Sequence, residues 1–305
     1  MFKFKEKQKI FDIGGVKVGG QPGELPTVLI GSIFYGGHKI ITDEKLGIFD
    51  KAKAEELINK SESLSDLTSV PFMLDITGGT EEAFPKYIDF VANTTNAPFL
   101  ISSENAKVVM AGAQHVVEVG LQSRAVYSSI FKGITSKELE VVKNSGIKAA
   151  ILLAQHPLDE YSAKGKVAVM KDILDLATKA KIEKPLIDVA IEAFGVNMGP
   201  AARAIYLIKN EYTFPVGVGS GNVTTTIDWV RTNVAKEDRK ACYSSIHTIM
   251  QVLGANWLLY GPIEHADWVF PAVATTDTFI LTATAELGIQ PVEEGKHPVF
   301  KLISQ

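Results

Sequence analysis

The sequence predicts a single (β/α)8 TIM barrel across residues 1–305, preceded by a short N-terminal β-hairpin. Three observations carry this expectation. Eight short runs rich in apolar and β-branched residues recur along the chain, each bounded by glycine or proline. A longer stretch with helical spacing follows each of them. The runs are apolar at successive positions, which specifies strands buried on both faces and hence a parallel sheet with crossover connections. A length of 305 residues accommodates two average domains or one large barrel. Eight units with no linker between them favour one closed barrel over an open doubly wound sheet with extra helices.

In chain order, the segment "KIFDIGGVKVGGQPGELP" alternates around two glycine pairs and reads as a hairpin turning near Gly14-Gly15, closing the bottom of the barrel. The first four strand runs are "TVLIGSIFYGG" (27–37), "PFMLDITGG" (71–79), "APFLISSEN" (97–105) and "RAVYSSI" (124–130). Then come "IKAAILLAQH" (147–156), "KPLIDVAIEAFG" (184–195), "YTFPVGVGSGN" (212–222) and "ANWLLYGPIEHAD" (255–267). Helical spacing places helices over 52–68, 80–95, 106–120, 136–146, 166–180 and 200–210, then over 223–235, 238–253 and 271–288. The charge run "KAKAEELINKSE" is an exposed helix face.

Composition narrows the function. With 46% apolar and 22% charged residues and a net charge of −4, the chain has the makings of a packed core. It has no cluster of Lys and Arg interleaved with aromatics, so a nucleic-acid partner is not expected. The Lys-rich start "MFKFKEKQK" lacks a following apolar region and no run is long enough to span a bilayer, so a cytoplasmic location without membrane insertion is expected. Cys242, alone, allows neither an internal disulfide nor a multi-cysteine zinc site.

Barrel enzymes work at the carboxyl ends of their strands. The polar residues there are Ser32 and Tyr35, Asp75 and Thr77, Ser102 to Asn105, Ser128, Gln155 and His156, Asp188 and Glu192, Ser220 and Asn222, and Glu264 to Asp267. Asp75 and Asp188 interrupt otherwise apolar strands, where a carboxylate is costly unless it is paired or hydrogen bonded. Each could cap a loop amide; as a pair at ligand-facing strand ends they point to binding. No strand-end lysine suggests a Schiff base, and His38, His156 and His265 form no metal-ligand spacing, so no protein-bound metal is expected. A set of Asp, Asn and Ser suits a neutral heterocycle with N–H donors, such as an aminopyrimidinone offering two donors to one carboxylate. The glycines of "GVGSGN" leave a second reading open, a phosphate cradle in an isomerase or lyase. Asn222 could also simply cap the helix that follows.

Long strings carry a resemblance: "DIGGVKVGGQPGELPTVLIGSIFYGGHKIITDEKLGIFDKAKAEELI", "VGLQSRAVYSS", "DVAIEAFG", "LLYGPIEHADWVFPA" and "GIQPVEEGKHPVFKL". Over nearly its whole length the chain resembles the H-subunit family of tetrahydromethanopterin S-methyltransferase, including soluble bacterial methylcobalamin:tetrahydrofolate methyltransferases of glycine betaine demethylation. More distantly it resembles the pterin-binding barrels of corrinoid-dependent methyltransferases and dihydropteroate synthase.

The resemblance implies methyl transfer between a corrinoid on a partner protein and N5 of tetrahydrofolate, the N5 lone pair attacking the methyl of methylcob(III)alamin in line and releasing cob(I)alamin. A tetrahydromethanopterin-specific member of a larger complex is the alternative. In such barrels an Asp ending the second strand and another ending the sixth hold the pterin, and Asp75 and Asp188 match them. Ser102 stands where an Asp of the third strand would fall, leaving Ser103 or Asn105 to supply that contact. Asn222, after the seventh strand, matches the Asn beside N5 and is the expected catalytic residue. Ser128, Gln155 and Ser220 complete the expected pterin contacts, with Glu192 and Asn197 facing the corrinoid. A homodimer is the expected assembly.

Overall fold

The computed structural model describes residues 2–159, 161–192, 196–224 and 226–303. Eight parallel strands close into a barrel: β3 (Val28–Ile33), β6 (Phe72–Thr77), β7 (Phe99–Ser102), β8 (Ala125–Ile130), β9 (Ala149–Leu153), β10 (Lys184–Asp188), β11 (Val216–Val218) and β12 (Trp257–Pro262). Their order around the barrel is their order in the chain, as right-handed βαβ crossovers require. The expected hairpin is β1 (Ile10–Ile13) and β2 (Val16–Gly19), turning at Gly14 and Gly15 with φ of 53° and 90°, values that glycine adopts without strain.

The strands are apolar on both faces for a reason visible in two cores. Val28, Ile30, Met73, Leu100, Val126, Ile151, Leu186 and Trp257 fill the barrel interior, and Ile13 and Val18 of the hairpin seal it from below. The intervening residues Leu29, Leu74, Ile76, Ile101, Tyr127, Leu152 and Ile187 pack outward against the helices. Because side chains alternate along a strand, the inward series can be followed upward. Val28 and Ile30 lead to Ser32, Met73 to Asp75 and Thr77, Leu100 to Ser102, Val126 to Ser128, and Leu186 to Asp188. Each series begins apolar and ends polar at the strand's carboxyl end, so the register delivers the polar layer to one mouth. Ser32 lies opposite Asp75, and Ser102 opposite both Thr77 and Ser128.

The crossover helices include α1 (Lys51–Thr68), α2 (Ala83–Thr94), α3 (Ala106–Glu118), α4 (Ser136–Ser145), α7 (Met198–Tyr212) and α10 (Arg239–Val252). Four details differ from expectation. A two-stranded ribbon, β4 (Ile41–Asp43) and β5 (Ile48–Phe49), sits in the loop after β3. The helix expected over 166–180 is two, α5 (Ala163–Ala168) and α6 (Met170–Lys179). That expected over 223–235 is α8 (Gly221–Thr224) and α9 (Asp228–Asn233). The last long helix, α11 (Ala266–Ala285), begins before Pro271, because a 3-10 turn over Ile263–His265 feeds directly into it; α12 (Val299–Leu302) follows. No helix among the described residues is long and apolar enough to cross a membrane.

Candidate active site

The mouth holds a cavity of about 420 Å³, within the size range of small-ligand sites. Asp75, Ser102, Ser103, Ser128 and Asn222 line it, as do Ser32 and Thr77. Asp75 is at its floor and 5% exposed. Ser32 Oγ donates to its Oδ2 at 2.7 Å and Ser102 Oγ to its Oδ1 at 2.5 Å. Burial raises its carboxyl above the ordinary carboxylate range, opposed by hydroxyl donors from Ser102, Ser32 and Thr77. Ser102 is therefore a support for Asp75 and does not stand in for a second carboxylate. Every donor to Asp75 is neutral, and each carboxylate oxygen keeps a further lone pair for an N–H from a ligand.

Asp188 is the second carboxylate. Its Oδ1 accepts the Ala190 amide at 2.8 Å, and the Gly219 amide also donates to it. Burial pushes its pKa up to about 6 against these donors. Ala190 has φ of 52°, a left-handed conformation uncommon for a residue with a Cβ. Three bonds hold it there: its N–H on Asp188, and its carbonyl accepting Lys166 Nζ at 2.7 Å and Asn197 Nδ2 at 3.1 Å.

Asn222 lies within α8, past its first residue, so it does not act as that helix's cap. It is exposed, and its Nδ2 makes one long bond, 3.4 Å, to the Ile191 carbonyl. A Cβ on Gly219 would sit 3.4 Å from Asn222 Nδ2 and 3.7 Å from Asp188 Oδ2, so carboxylate and amide flank one point. Gly219→Ala therefore fits without a clash yet fills the space between the two groups. It is expected to leave the melting temperature unchanged and to weaken ligand binding about tenfold, measured by calorimetry beside a thermal melt.

The remaining glycines of "GVGSGN" serve packing. A Cβ on Gly217 would collide with the Trp257 ring and carbonyl, and one on Gly221 with the Gly261 backbone. The amides of Asn222 and Val223 donate within the turn, to Gly219 and Ser220, and that of Gly219 goes to Asp188. Three of the turn's amides are thus taken within the protein, among them that of Gly219, which a phosphate cradle would leave open.

Other expected contacts lie elsewhere. Ser220 is fully buried with Oγ 2.8 Å from His247 Nδ1, turned from the mouth toward α10. Asn105 caps α3, accepting the Lys107 amide at 3.0 Å. Ser103 lines the cavity while donating to the Gly78 carbonyl at 2.8 Å. Gln155 Nε2 donates to Glu192 Oε1 at 3.1 Å, joining the fifth and sixth loops. Asn197 is fully buried, accepting the Glu192 amide at 2.8 Å, so it shapes the sixth loop from inside and cannot face a partner's corrinoid.

Two residues escaped the sequence reading. Glu138, three residues after Thr135, reads as a capping-box acid, and its amide does donate to Thr135 Oγ1 at 3.2 Å. Its carboxylate, however, accepts Tyr127 Oη at 2.7 Å and borders the cavity. Lys166 reads as surface helix charge yet is fully buried under Ala190. Neither carries a local sequence signal, because burial of a helical charge depends on the loop above it. Among the described residues no group of three or more His, Cys, Asp and Glu is placed to hold a metal ion.

Comparisons with known proteins agree with this picture. The chain matches the family model "Tetrahydromethanopterin S-methyltransferase MtrH subunit" over residues 6–292. It is 43% identical to the H subunit of that enzyme from Methanothermobacter marburgensis, covering 99% of this chain and all of the relative. The H subunit from Methanocaldococcus jannaschii is 39% identical with the same coverage. Among solved structures, a dihydropteroate synthase of Yersinia pestis superposes with a TM-score of 0.61 at 14% identity, covering 88% of this chain and 98% of that one. The Stenotrophomonas maltophilia enzyme gives a TM-score of 0.60 at 16% identity, covering 87% and 96%. At such identity the likeness speaks for the barrel fold alone. The match along almost all of its length places the chain, plainly, in the H-subunit family of tetrahydromethanopterin S-methyltransferase.

Proposed function

We propose that this chain, acting as one pterin-binding domain, transfers a methyl group between N5 of a reduced pterin and a corrinoid carried by a partner protein. The observation that carries the reading is the pair of carboxylates ending separate strands, Asp75 buried in the cavity wall and Asp188 half-buried next to the Asn222 amide that lines the same cavity. The cavity's size and neutral donors suit a flat heterocycle. A docked corrinoid would supply a cobalt centre able to give up or accept the methyl group.

In this scheme Asp75 and Asp188 accept the N–H donors of the pyrimidine edge and fix the ring in plane. Asn222, with an amide that both donates and accepts, follows N5 through its changes of protonation and methylation. No covalent enzyme intermediate is needed. Alignment of two bound reactants can lower a barrier by about 7–11 kcal/mol in well-oriented cases, so positioning is the protein's main contribution.

The relatives are named for tetrahydromethanopterin, which favours that pterin over the tetrahydrofolate expected from the sequence. Tetrahydrofolate remains the second reading, resting on Ser102 at the third strand. The test is direct: purified protein is given a methylated corrinoid and each pterin in turn, and the cobalt oxidation state is followed by visible absorption. Turnover with tetrahydromethanopterin is expected; turnover with tetrahydrofolate alone moves the assignment to the second reading, and no methylation of either pterin sinks both. A homodimer is the proposed assembly, to be read by light scattering in the same preparation.

Binding should depend on pH. The free Asp188 carboxyl has a pKa of about 6, and the ligand's donors need it ionised, so below that value a proton competes with the pterin. Affinity is expected to be flat above about pH 7 and to fall toward tenfold per unit below about pH 6. Asp188→Asn should bind weakly with a shallower slope, keeping only what Asp75 contributes; a slope unchanged in this variant would assign the titration to another group.

A further inference from the structure

A second cavity, of about 440 Å³, is lined by the loops and helices that follow the seventh and eighth barrel strands. Arg231 of α9, Lys236, and Arg239 and Lys240 from the first turn of α10 bring four cations to it, and Tyr243, His265 and Trp268 also line it. Its two carboxylates are engaged elsewhere. Glu264 takes the Tyr35 hydroxyl at 3.2 Å and sits 3.0 Å from His38 Nε2, and Asp267 pairs with Lys60 at 2.6 Å. Arg239 is fixed by its own loop, donating to the carbonyls of Val234 at 3.0 Å and Arg231 at 2.6 Å. Arg231 reaches Asp228 only at 3.6 Å. Neither Lys236 nor Lys240 meets a carboxylate within ion-pair distance among the described residues.

The excess of positive charge is local, since the chain as a whole is net −4. The amino-terminal turn of α10, a helix of 14 residues whose Asp238 makes no capping bond, adds its partial positive charge. Loops after the seventh and eighth strands, with short extra helices, are a recurrent anion-binding place in such barrels. Here α8 and α9 carry the chain from Asn222, on the first cavity, to Arg231, on the second. A ligand reaching from one to the other would have a flat ring at the carboxylates and negative charge at its far end.

We propose that this pocket holds the oxyanions of the pterin's tail, with Lys236, Lys240 and Arg231 contacting them and Tyr243 and Trp268 packing the tail's apolar parts. The proposal rests on the pterin reading above and adds where the rest of the substrate lies. It makes the pocket a determinant of KM and of discrimination among pterins that share a ring. Concave form and an aromatic part of the lining favour a small ligand over the acidic surface of a protein partner.

The double variant Lys236→Gln/Lys240→Gln tests it. Neither lysine pairs with a carboxylate among the described residues, so the fold and the ring site stay intact. Calorimetric titrations would compare 6-methyltetrahydropterin, which has no tail, with tetrahydrofolate, whose tail carries carboxylates, and tetrahydromethanopterin, whose tail also carries a phosphodiester. The wild type should bind a tailed pterin at least tenfold more tightly than the tailless one, and the variant should lose most of that advantage while binding the tailless pterin unchanged. Loss with both tailed pterins assigns the site to carboxylates, and loss with tetrahydromethanopterin alone assigns it to the phosphodiester. Equal binding of tailed and tailless pterins by wild type and variant alike overturns the tail site while leaving the ring site standing. Binding of no pterin by the wild type removes the pterin reading itself, and this inference with it. A variant that keeps every pterin affinity but needs a higher concentration of corrinoid protein shows a docking surface for that partner and also overturns the proposal.

Discussion

Asp75→Ala is expected to raise the dissociation constant for the pterin about 100-fold while leaving the melting temperature equal to or above that of the wild type. The affinity loss follows from chemistry: a charged acceptor taking ligand N–H donors contributes about 1.5–3 kcal/mol per bond, so a 100-fold change, about 2.8 kcal/mol, corresponds to the loss of one to two such bonds. The stability side follows from burial. Asp75 is 5% exposed with only neutral hydroxyls around it, and its carboxyl is raised above the ordinary range by desolvation. Its ionised form is thus a cost to the folded protein that the ligand relieves. The hydroxyls of Ser32 and Ser102 lose an acceptor in the variant and can turn toward the cavity. Calorimetry beside differential scanning gives both numbers. A variant that melts much lower than wild type and binds the pterin normally would make Asp75 a structural residue.

Asn222→Ala should act on the other kinetic parameter, lowering kcat about 100-fold with little change in KM for the pterin. The side chain is exposed and anchored by a single 3.4 Å bond, so it contributes little to folding and is free to adjust. Removing one well-placed hydrogen-bonding group from a reacting centre costs about 10²–10³ in rate. Single-turnover mixing of protein, pterin and methylated corrinoid isolates the chemical step. Asn222→Asp separates the roles, since a carboxylate accepts but does not donate while ionised. If the alanine variant shows a raised KM and an intact kcat, Asn222 is a binding residue and the chemistry is governed elsewhere.

The strands were legible because burial on both faces leaves a run of apolar letters, and the mouth was legible because the inward series of β3, β6, β7, β8 and β10 turns polar toward the carboxyl end. Asp75 and Asp188 stand out by that rule, as do Ser102 and Ser128. The rule stops where a strand stops. β11 ends at Val218, so the phase that would aim Ser220 is lost in the turn, and its hydroxyl goes to His247. Asn197 reads like any polar loop residue, and it is completely buried with its amide bonded to the backbone of Ala190 and Glu192. Lys166 and Glu138 sit on helices with ordinary charge patterns, and only the tertiary arrangement turns them inward. The helix expected over 223–235 is instead α8 and α9, and α8 starts at Gly221, whose close approach to the Gly261 backbone no residue letter announces.

The hairpin plug beneath Val28, Ile30, Met73 and Trp257 bears on kinetic order. With the floor sealed, the pterin has one entrance, and on the proposed function that opening is also where the corrinoid carrier must sit to bring its methyl group to N5. The two substrates then share a single gateway. The pterin has to board before the carrier arrives, and the altered pterin stays captive until the carrier leaves. A carrier that arrives early blocks the gateway, so an excess of corrinoid protein slows the cycle in which it is a reactant.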